Sequence, residues 1–130
     1  MARLLAFISI ITAVTVQVAS ADEVRHTTFA VAVQGTWAPS ADLCKAQDKS
    51  SVVISETKYT DGDGTCGVDS VVERAGVPGP FYAARALCAD AAQPGKDRAV
   101  NFIIRPESND KISIGKSFDD LKIYQRCPAR

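Results

Sequence analysis

Four cysteines are the residues of this 130-residue chain whose types and spacing define a chemistry most clearly: Cys44, Cys66, Cys88 and Cys127. Four cysteines serve either as a tetrahedral zinc site or as two disulfides. Structural zinc sites commonly contain cysteine pairs separated by two residues, and no such pair occurs here. An even number of cysteines in a short exported chain is typical of a disulfide framework. The sequence therefore predicts two disulfides.

The stretch from Cys66 to Cys88 indicates which cysteines pair. Two apolar runs flank a cluster of turn-forming glycines and prolines, which is typical of a β-hairpin. A hairpin folded about Val77 places Val72 opposite Tyr82, Ser70 opposite Ala84, Val68 opposite Ala86, and Cys66 opposite Cys88. Residues directly opposite have Cβ atoms roughly 4.5–5.5 Å apart, close to what a disulfide requires. We predict Cys66–Cys88 from this register and Cys44–Cys127 by elimination.

Side chains suited to acid–base or nucleophilic catalysis are sparse. His26 is the single histidine, and it lies in the polar segment 22–28, which we expect to be a flexible mature N-terminus. Two carboxylate pairs lie in predicted turns, where solvation accounts for them: Asp61 with Asp63, and Asp119 with Asp120. The first pair is also an alternative start for a calcium loop, but the residues after Gly64 do not continue that pattern. We therefore predict no enzyme activity, no catalytic residues, no metal and no cofactor.

Residues 1–21 have the three parts of a secretory signal peptide. Arg3 supplies the positive charge, Leu4 to Val18 form the apolar segment, and Ala19-Ser20-Ala21 is a small-residue cleavage pattern. A membrane anchor is the less favoured alternative, because the apolar run is short for a span and contains polar residues. We predict cleavage after Ala21 and a periplasmic or extracellular protein.

The pattern of β-branched residues and turn signals predicts the fold. Removing 21 residues from 130 leaves 109, which suits one small domain, and we place it at residues 29–130. A short helix is predicted over Pro39–Ala46. Strands are predicted over 29–33, 51–59, the two arms of the hairpin 66–88, 99–105, 111–115 and 121–127. The sequence thus predicts an all-β fold, a small antiparallel meander closed into a barrel or sandwich, with one short N-terminal helical turn and two disulfides.

The mature chain carries almost no net charge. Arg3 leaves with the signal peptide, so fourteen Lys and Arg face fifteen Asp and Glu, a formal charge of −1. The basic residues are scattered, and no later segment is apolar enough to span a membrane. We expect no nucleic-acid partner, no membrane span after signal removal, and a monomer that binds an unknown protein or a small ligand.

Short motifs at the two ends of the domain resemble those of known families. Gly35-Thr36-Trp37-Ala38 precedes Cys44, and the chain closes with Tyr124-Gln125-Arg126-Cys127-Pro128. Over about residues 33–128 the chain resembles small exported four-cysteine β proteins of Gram-negative bacteria, mostly uncharacterised, with a Gly-Thr-Trp-Ala start and an Arg-Cys-Pro end. The early Gly-x-Trp is also similar to that of lipocalin-like periplasmic metalloprotease inhibitors, in which the tryptophan closes one barrel end and a flexible N-terminus enters the protease. These resemblances imply a periplasmic β protein without specifying an activity.

The leading expectation for function is a secreted or periplasmic, non-catalytic binding or interaction module. One alternative is an inhibitor of a secreted or periplasmic hydrolase, a protease or lysozyme, because a small rigid surface loses little entropy on binding. Its inserting element would be the N-terminal segment or the hairpin turn, for which the candidate partner-binding residues are Val77, Pro78, Gly79 and Pro80. A second alternative is a carrier of a small apolar ligand inside the barrel.

Overall fold

The structure, a computed structural model, describes residues 13–16, 23–46, 49–77 and 79–129. The predicted signal peptide, residues 1–21, lies outside these ranges apart from 13–16, as does the predicted cleavage site. Within the described ranges, no helix has both the length and the apolar character needed to cross a membrane.

Nine strands form one antiparallel sheet in the described chain. They are β1 Glu23–His26, β2 Gly35–Ala38, β3 Val52–Ile54, β4 Lys58–Asp61, β5 Gly64–Arg74, β6 Phe81–Ala89, β7 Asp97–Ser108, β8 Lys111–Gly115 and β9 Lys122–Arg126. The helical elements of the described ranges are one α-helical turn, α1 Leu43–Ala46, and two 3-10 segments, Val31–Val33 and Phe118–Asp120. The predicted all-β fold with one short N-terminal helical turn is confirmed.

Strands β2 to β9 close into a barrel. Each pairs with the next along the chain, and β9 pairs back with β2 through Trp37 opposite Arg126 and Ala38 opposite Gln125. Of the two predicted architectures, barrel and sandwich, the structure is therefore the closed eight-stranded barrel. β1 lies beside this ring and pairs with Val71 to Arg74 of β5, beyond the part of β5 that β4 covers.

Apolar side chains fill the barrel. An eight-stranded barrel has an interior just wide enough for side chains to occupy. One continuous cluster of buried residues includes Trp37, Ile54, Val71, Phe102, Ile104 and Ile112. Phe102 also contacts Tyr59, with ring centroids 4.5 Å apart. The interior is thus a hydrophobic core, and the surface features described below lie outside it.

Both predicted disulfides are confirmed. Cys66–Cys88 joins the adjacent strands β5 and β6, with Cα atoms 4.2 Å apart. Cys44–Cys127 joins α1 to the residue after β9, with Cα atoms 5.5 Å apart, and spans 83 positions of the sequence. The pairing is consistent with an oxidising, exported compartment.

The predicted hairpin register is correct at its cysteine end and wrong by one residue beyond Val68. The structure has Cys66 opposite Cys88 and Val68 opposite Ala86, then Ser70 opposite Arg85, Val71 opposite Ala84, and Glu73 opposite Tyr82. Asp69 has no partner of its own in the ladder, so it forms a β-bulge. The sequence hides this shift because Val71 and Val72 are both apolar, and either could face the core.

The predicted strand over 29–33 is wrong. Val31–Val33 is a 3-10 helix, and Phe29 and Val33 are both buried, which is a spacing of four rather than of two. The Gln34 side chain donates a hydrogen bond to the Phe29 carbonyl at 2.9 Å, and the Trp37 indole donates to the Val33 carbonyl at 3.0 Å. These bonds hold the segment in a bend before β2.

The predicted strand over 51–59 is two strands, β3 and β4, with a turn between them. The Ser55 hydroxyl accepts a hydrogen bond from the Lys58 backbone N–H at 3.2 Å, and the Ser55 N–H donates to the Lys58 carbonyl at 2.9 Å. A serine hydroxyl that bonds nearby backbone in this way favours a turn. The run of β-branched residues concealed it.

The segment expected to be flexible, residues 22–28, contains a paired strand. Glu23–His26 forms β1, and Asp22 lies outside the described residues. Glu23 forms an ion pair with Arg74 at 3.3 Å, and His26 Nε2 lies 3.9 Å from a Glu73 carboxylate oxygen. Backbone pairing and these contacts hold the segment against β5.

Candidate functional site

Arg126 and Trp37 close one end of the barrel. The Arg126 guanidinium lies over the indole ring, 4.1 Å from its centroid, and Trp37 is fully buried. The Nη1, Nη2 and Nε atoms of Arg126 donate to the carbonyls of Gln34, Ala32 and Asn109 at 2.7, 3.0 and 3.0 Å. One side chain thus connects β9, the bend before β2 and the β7–β8 turn.

Gly35 makes room for this arrangement. Its φ is +137°, and a Cβ at this position would lie 2.7 Å from Arg126 Nη1. A side chain would therefore meet both a strained backbone and a steric clash. This is the physical reason for glycine in the Gly-x-Trp motif here.

Beside this end, a groove of about 1000 Å³ opens on the outer surface of the barrel. Its floor is a row of outward residues on three neighbouring strands, Thr36, Val53 and Thr60, which lie opposite one another in the β-ladders. Alternation along β3 buries Val52 and Ile54 in the core and leaves Val53 on the outer face, 42% exposed. The floor is therefore mixed, with a valine between two threonines.

The groove wall is built by the connection from β2 to β3 and by the end of the chain. Ala41, Cys44, Pro128 and Ala129 line it. The Cys44–Cys127 disulfide ties α1 to the end of β9, so it holds the two sides of this wall together. On another side the backbones of Lys49 and Gly62 meet so closely that a Cβ on Gly62 would lie 2.4 Å from the Lys49 carbonyl oxygen.

Four charged residues line the groove: Lys45, Lys49, Asp61 and Arg126. Neither lysine forms a salt bridge with any described residue, and both are exposed. An Asp61 carboxylate oxygen accepts the Asp63 N–H at 2.9 Å, and all three Arg126 nitrogens are engaged by carbonyls. These bonds leave both formal charges in place, so the three cations and one carboxylate of the described lining sum to 3 − 1 = +2, and the donors still free are those of the two lysines.

Ser51 lines the groove, but its hydroxyl oxygen is buried and has no hydrogen-bond partner among the described residues. The oxygen is inaccessible from the groove, so other atoms of Ser51 form the lining.

The predicted partner-binding turn lies at the tip of the β5–β6 hairpin. Val77 is 94% exposed there, and Pro80 is exposed as well. Gly79 lines a second, smaller cavity of about 390 Å³ together with Pro106 and Arg126. Pro78 lies outside the described residues. None of the three described turn residues, Val77, Gly79 and Pro80, lines the groove.

Two polar clusters outside the groove have no accessible nucleophile. Ser113 donates to Glu107 at 2.7 Å, but Ser113 is only 1% exposed. Its hydrogen bond and that of Arg105 hold the pKa of the Glu107 carboxyl below its usual range. Where Glu73 of β5 lies opposite Tyr82 of β6, burial and then the Glu73 carboxylate raise the pKa of the Tyr82 phenol, and Tyr82 is only 5% exposed. No group of three or more His, Cys, Asp or Glu in the described chain is placed to hold a metal ion.

Sequence reasoning found the cysteines but not the groove. The alternation that exposes Val53 is hidden in the apolar run Val52-Val53-Ile54. Lys45 and Lys49 resemble any other surface lysine until the disulfide places α1 over the barrel wall. The clearest sequence signal for the groove was the predicted Cys44–Cys127 disulfide, since that pairing requires the segment after β2 to lie beside Cys127.

The comparisons with known proteins give no relative. No family model matches the chain, and neither the curated proteins nor the solved structures contain a match. The geometry of the barrel and its groove is therefore the basis for any functional argument.

Proposed function

We propose that this protein is a non-catalytic binding module of the periplasm or the extracellular space, and that it binds its partner in the groove beside the Cys44–Cys127 disulfide. The observation that carries the proposal is the groove itself, about 1000 Å³ with a floor of Thr36, Val53 and Thr60. Ligand sites are typically concave, partly apolar and lined by a few polar groups. The two disulfides and the signal-like sequence of residues 1–21 support export.

The barrel interior offers less support for an alternative role as a carrier of a small apolar ligand. Buried side chains from all parts of the barrel form one continuous core, and Trp37 with Arg126 covers one end. The groove lies outside the wall, where a ligand can bind without displacing core residues.

A groove-filling substitution tests the proposed site. Val53→Trp places a large side chain on the groove floor, whereas Ile123→Trp changes another outward residue, 60% exposed, that does not line the groove. Each protein would be purified from the extracytoplasmic fraction of the native host and analysed by native mass spectrometry. A ligand or partner retained by the wild type and Ile123→Trp, and lost by Val53→Trp, supports the proposal. Equal retention by all three contradicts it, and turnover of a hydrolase substrate panel by homogeneous protein contradicts the non-catalytic role.

A second candidate function is inhibition of a secreted hydrolase through the β5–β6 turn. The favouring observation is Val77, an apolar side chain 94% exposed at the tip of a hairpin that a disulfide crosses. Residual activity of proteases and lysozyme would be measured with wild type and Val77→Asp. Inhibition that disappears in Val77→Asp supports this role, and no inhibition at micromolar concentration rejects it.

A further inference from the structure

We infer that the groove binds a small organic anion that has an apolar body, such as a medium-chain carboxylate. This inference rests on the proposed function and adds the chemical class of the ligand. Two observations carry it: unpaired positive charge and an apolar lining.

The charge at the groove favours an anion. Lys45 and Lys49 line it and have no ion pair with any described residue. The carboxylate of Asp61 is the opposing charge in the lining, and one of its oxygens already accepts the Asp63 N–H. Arg126 keeps its positive charge, but its three nitrogens already donate to backbone carbonyls and are not free to bind a ligand. Two ammonium groups are therefore left to meet a carboxylate.

The rest of the lining favours an apolar body. Ala41, Val53, Pro128 and Ala129 contribute apolar atoms, and the Cys44–Cys127 disulfide adds a sulfur surface. Apolar surface removed from water stabilises a complex roughly in proportion to its area. A fully polar anion would leave this surface uncovered, whereas an alkyl chain would cover it.

The Lys49–Gly62 contact gives the site its shape. Both residues line the groove. Because the Lys49 and Gly62 backbones meet, that side of the groove is closed. A closed side suits the end of a short ligand better than a peptide chain that continues past the site.

Three probes with the same alkyl chain test the inference: decanoate, decanol and decyltrimethylammonium. Backbone amide shifts of the folded protein would locate each probe, and their titration at low and high salt would give affinities. We expect decanoate to shift residues of the groove floor and to bind about tenfold more tightly than decanol, a ratio that two exposed charge contacts allow. The preference should decrease in high salt because the charges are exposed. Equal affinities, or tighter binding of the cation, would overturn the inference.

Matched lysine variants separate the site from general surface charge. Lys45→Ala with Lys49→Ala should reduce decanoate affinity to that of decanol and abolish the salt dependence. Lys111→Ala with Lys122→Ala removes the same charge from exposed positions of β8 and β9 outside the groove and should change neither. An identical response of the two double variants would contradict the inference.

The outcomes for the ligand class and for the groove remain distinguishable. If all three probes bind the wild type equally and Val53→Trp loses them all, the anion is wrong while the proposed groove stands. If decanoate binding survives in Val53→Trp, or if its shifts map to core residues such as Phe102, both proposals are wrong. If no probe binds, the anion inference is overturned, and the retention experiment above decides the groove.

Discussion

At the scale of single residues, Arg126 connects several parts of the fold through one side chain. Its side chain joins three segments that are distant in sequence, and it also lies over the one tryptophan. A guanidinium suits this task because its planar group directs several N–H donors outward at fixed angles. A lysine has a single ammonium and cannot reach three carbonyls and a ring face together.

We therefore expect Arg126→Ala to lower the free energy of unfolding by about 2 kcal/mol, because charge-assisted hydrogen bonds and a cation–π contact are lost. Arg126→Lys should recover only part of this. Arg98→Ala is the control, since Arg98 is exposed and forms no ion pair or side-chain hydrogen bond with any described residue. It should change stability by less than about 0.5 kcal/mol. Equilibrium denaturation decides the comparison. Equal losses for Arg126→Ala and Arg98→Ala would contradict the role given to Arg126.

The three tyrosines give a pH dependence of known sign. The pKa values of Tyr59, Tyr82 and Tyr124 are all raised, chiefly by burial and next by carboxylates such as Asp61 and Glu73. The unfolded chain then loses its phenolic protons first. Stability is unaffected below the unfolded pKa of about 10 and falls as the pH rises above it.

Ultraviolet absorbance of the phenolate tests this directly. We expect the native protein to titrate above the ordinary tyrosine range, and the same protein in denaturant to titrate within it. Tyr59→Phe should weaken the alkaline loss of stability, because Tyr59 has the largest shift of the three. A native titration curve that overlays the denatured one would show that the phenols are not buried in this way.

At the scale of elements, the bulge at Asp69 separates the part of β5 that pairs with β4 from the part that pairs with β1. On one side of it β5 pairs with β4, and on the other side with β1. A bulge increases the local twist and bend of a strand. It lies where the outer partner of β5 changes, so the bend occurs between the two pairings.

Deleting Asp69 should leave the alternation of the hairpin intact. Val68 would still face Ala86 and Ser70 would still face Arg85, so every core residue keeps its side. We expect a loss of about 1–2 kcal/mol, from the lost bend and the lost Asp69–Arg85 ion pair, with the Cys66–Cys88 bond retained. Deleting Gly67 is the contrasting change. With Val68 still opposite Ala86, Cys66 would lie opposite Leu87 instead of Cys88. Denaturation and non-reducing peptide mapping compare the two, and equal damage would contradict the bulge assignment.

The elements that the sequence predicted are those in which local and long-range signals agree. The hairpin from Cys66 to Cys88 combined turn residues with a cysteine at each end, and each disulfide was found. The segment 29–33 failed because its composition is that of a strand, whereas its conformation depends on covering a barrel end that only the assembled fold provides. The groove was not predicted for a similar reason, since Val53 becomes part of a concave surface only when the fold places α1 beside it.

At the scale of the whole molecule, the two disulfides constrain different things. Cys66–Cys88 crosses neighbouring strands with a sequence separation of 22, whereas Cys44–Cys127 spans 83 positions and holds the groove wall. On the loop-entropy model they contribute about 3.4 and about 4.5 kcal/mol. The longer loop is therefore expected to matter more for stability, and Cys44 also lines the proposed binding groove.

Paired alanine variants test both statements. Cys44→Ala with Cys127→Ala should lower the melting temperature more than Cys66→Ala with Cys88→Ala. The first variant should also lose decanoate binding, while the second should keep it because neither Cys66 nor Cys88 lines the groove. Calorimetry and the probe titration measure the two effects. A first variant that binds as well as the wild type would show that the disulfide does not maintain the groove.

The long disulfide also sets a problem of timing during biosynthesis. A chain is made from its amino terminus, so Cys44 is the first cysteine to appear and its partner, Cys127, is the last. Cys66 appears next, before Cys88, and the earliest pair of thiols available to an oxidant is therefore the non-native Cys44 with Cys66. Correct maturation then requires either oxidation that is slower than the formation of the hairpin, or thiol–disulfide exchange that reopens the first bond, by an isomerase or by the later thiols of Cys88 and Cys127.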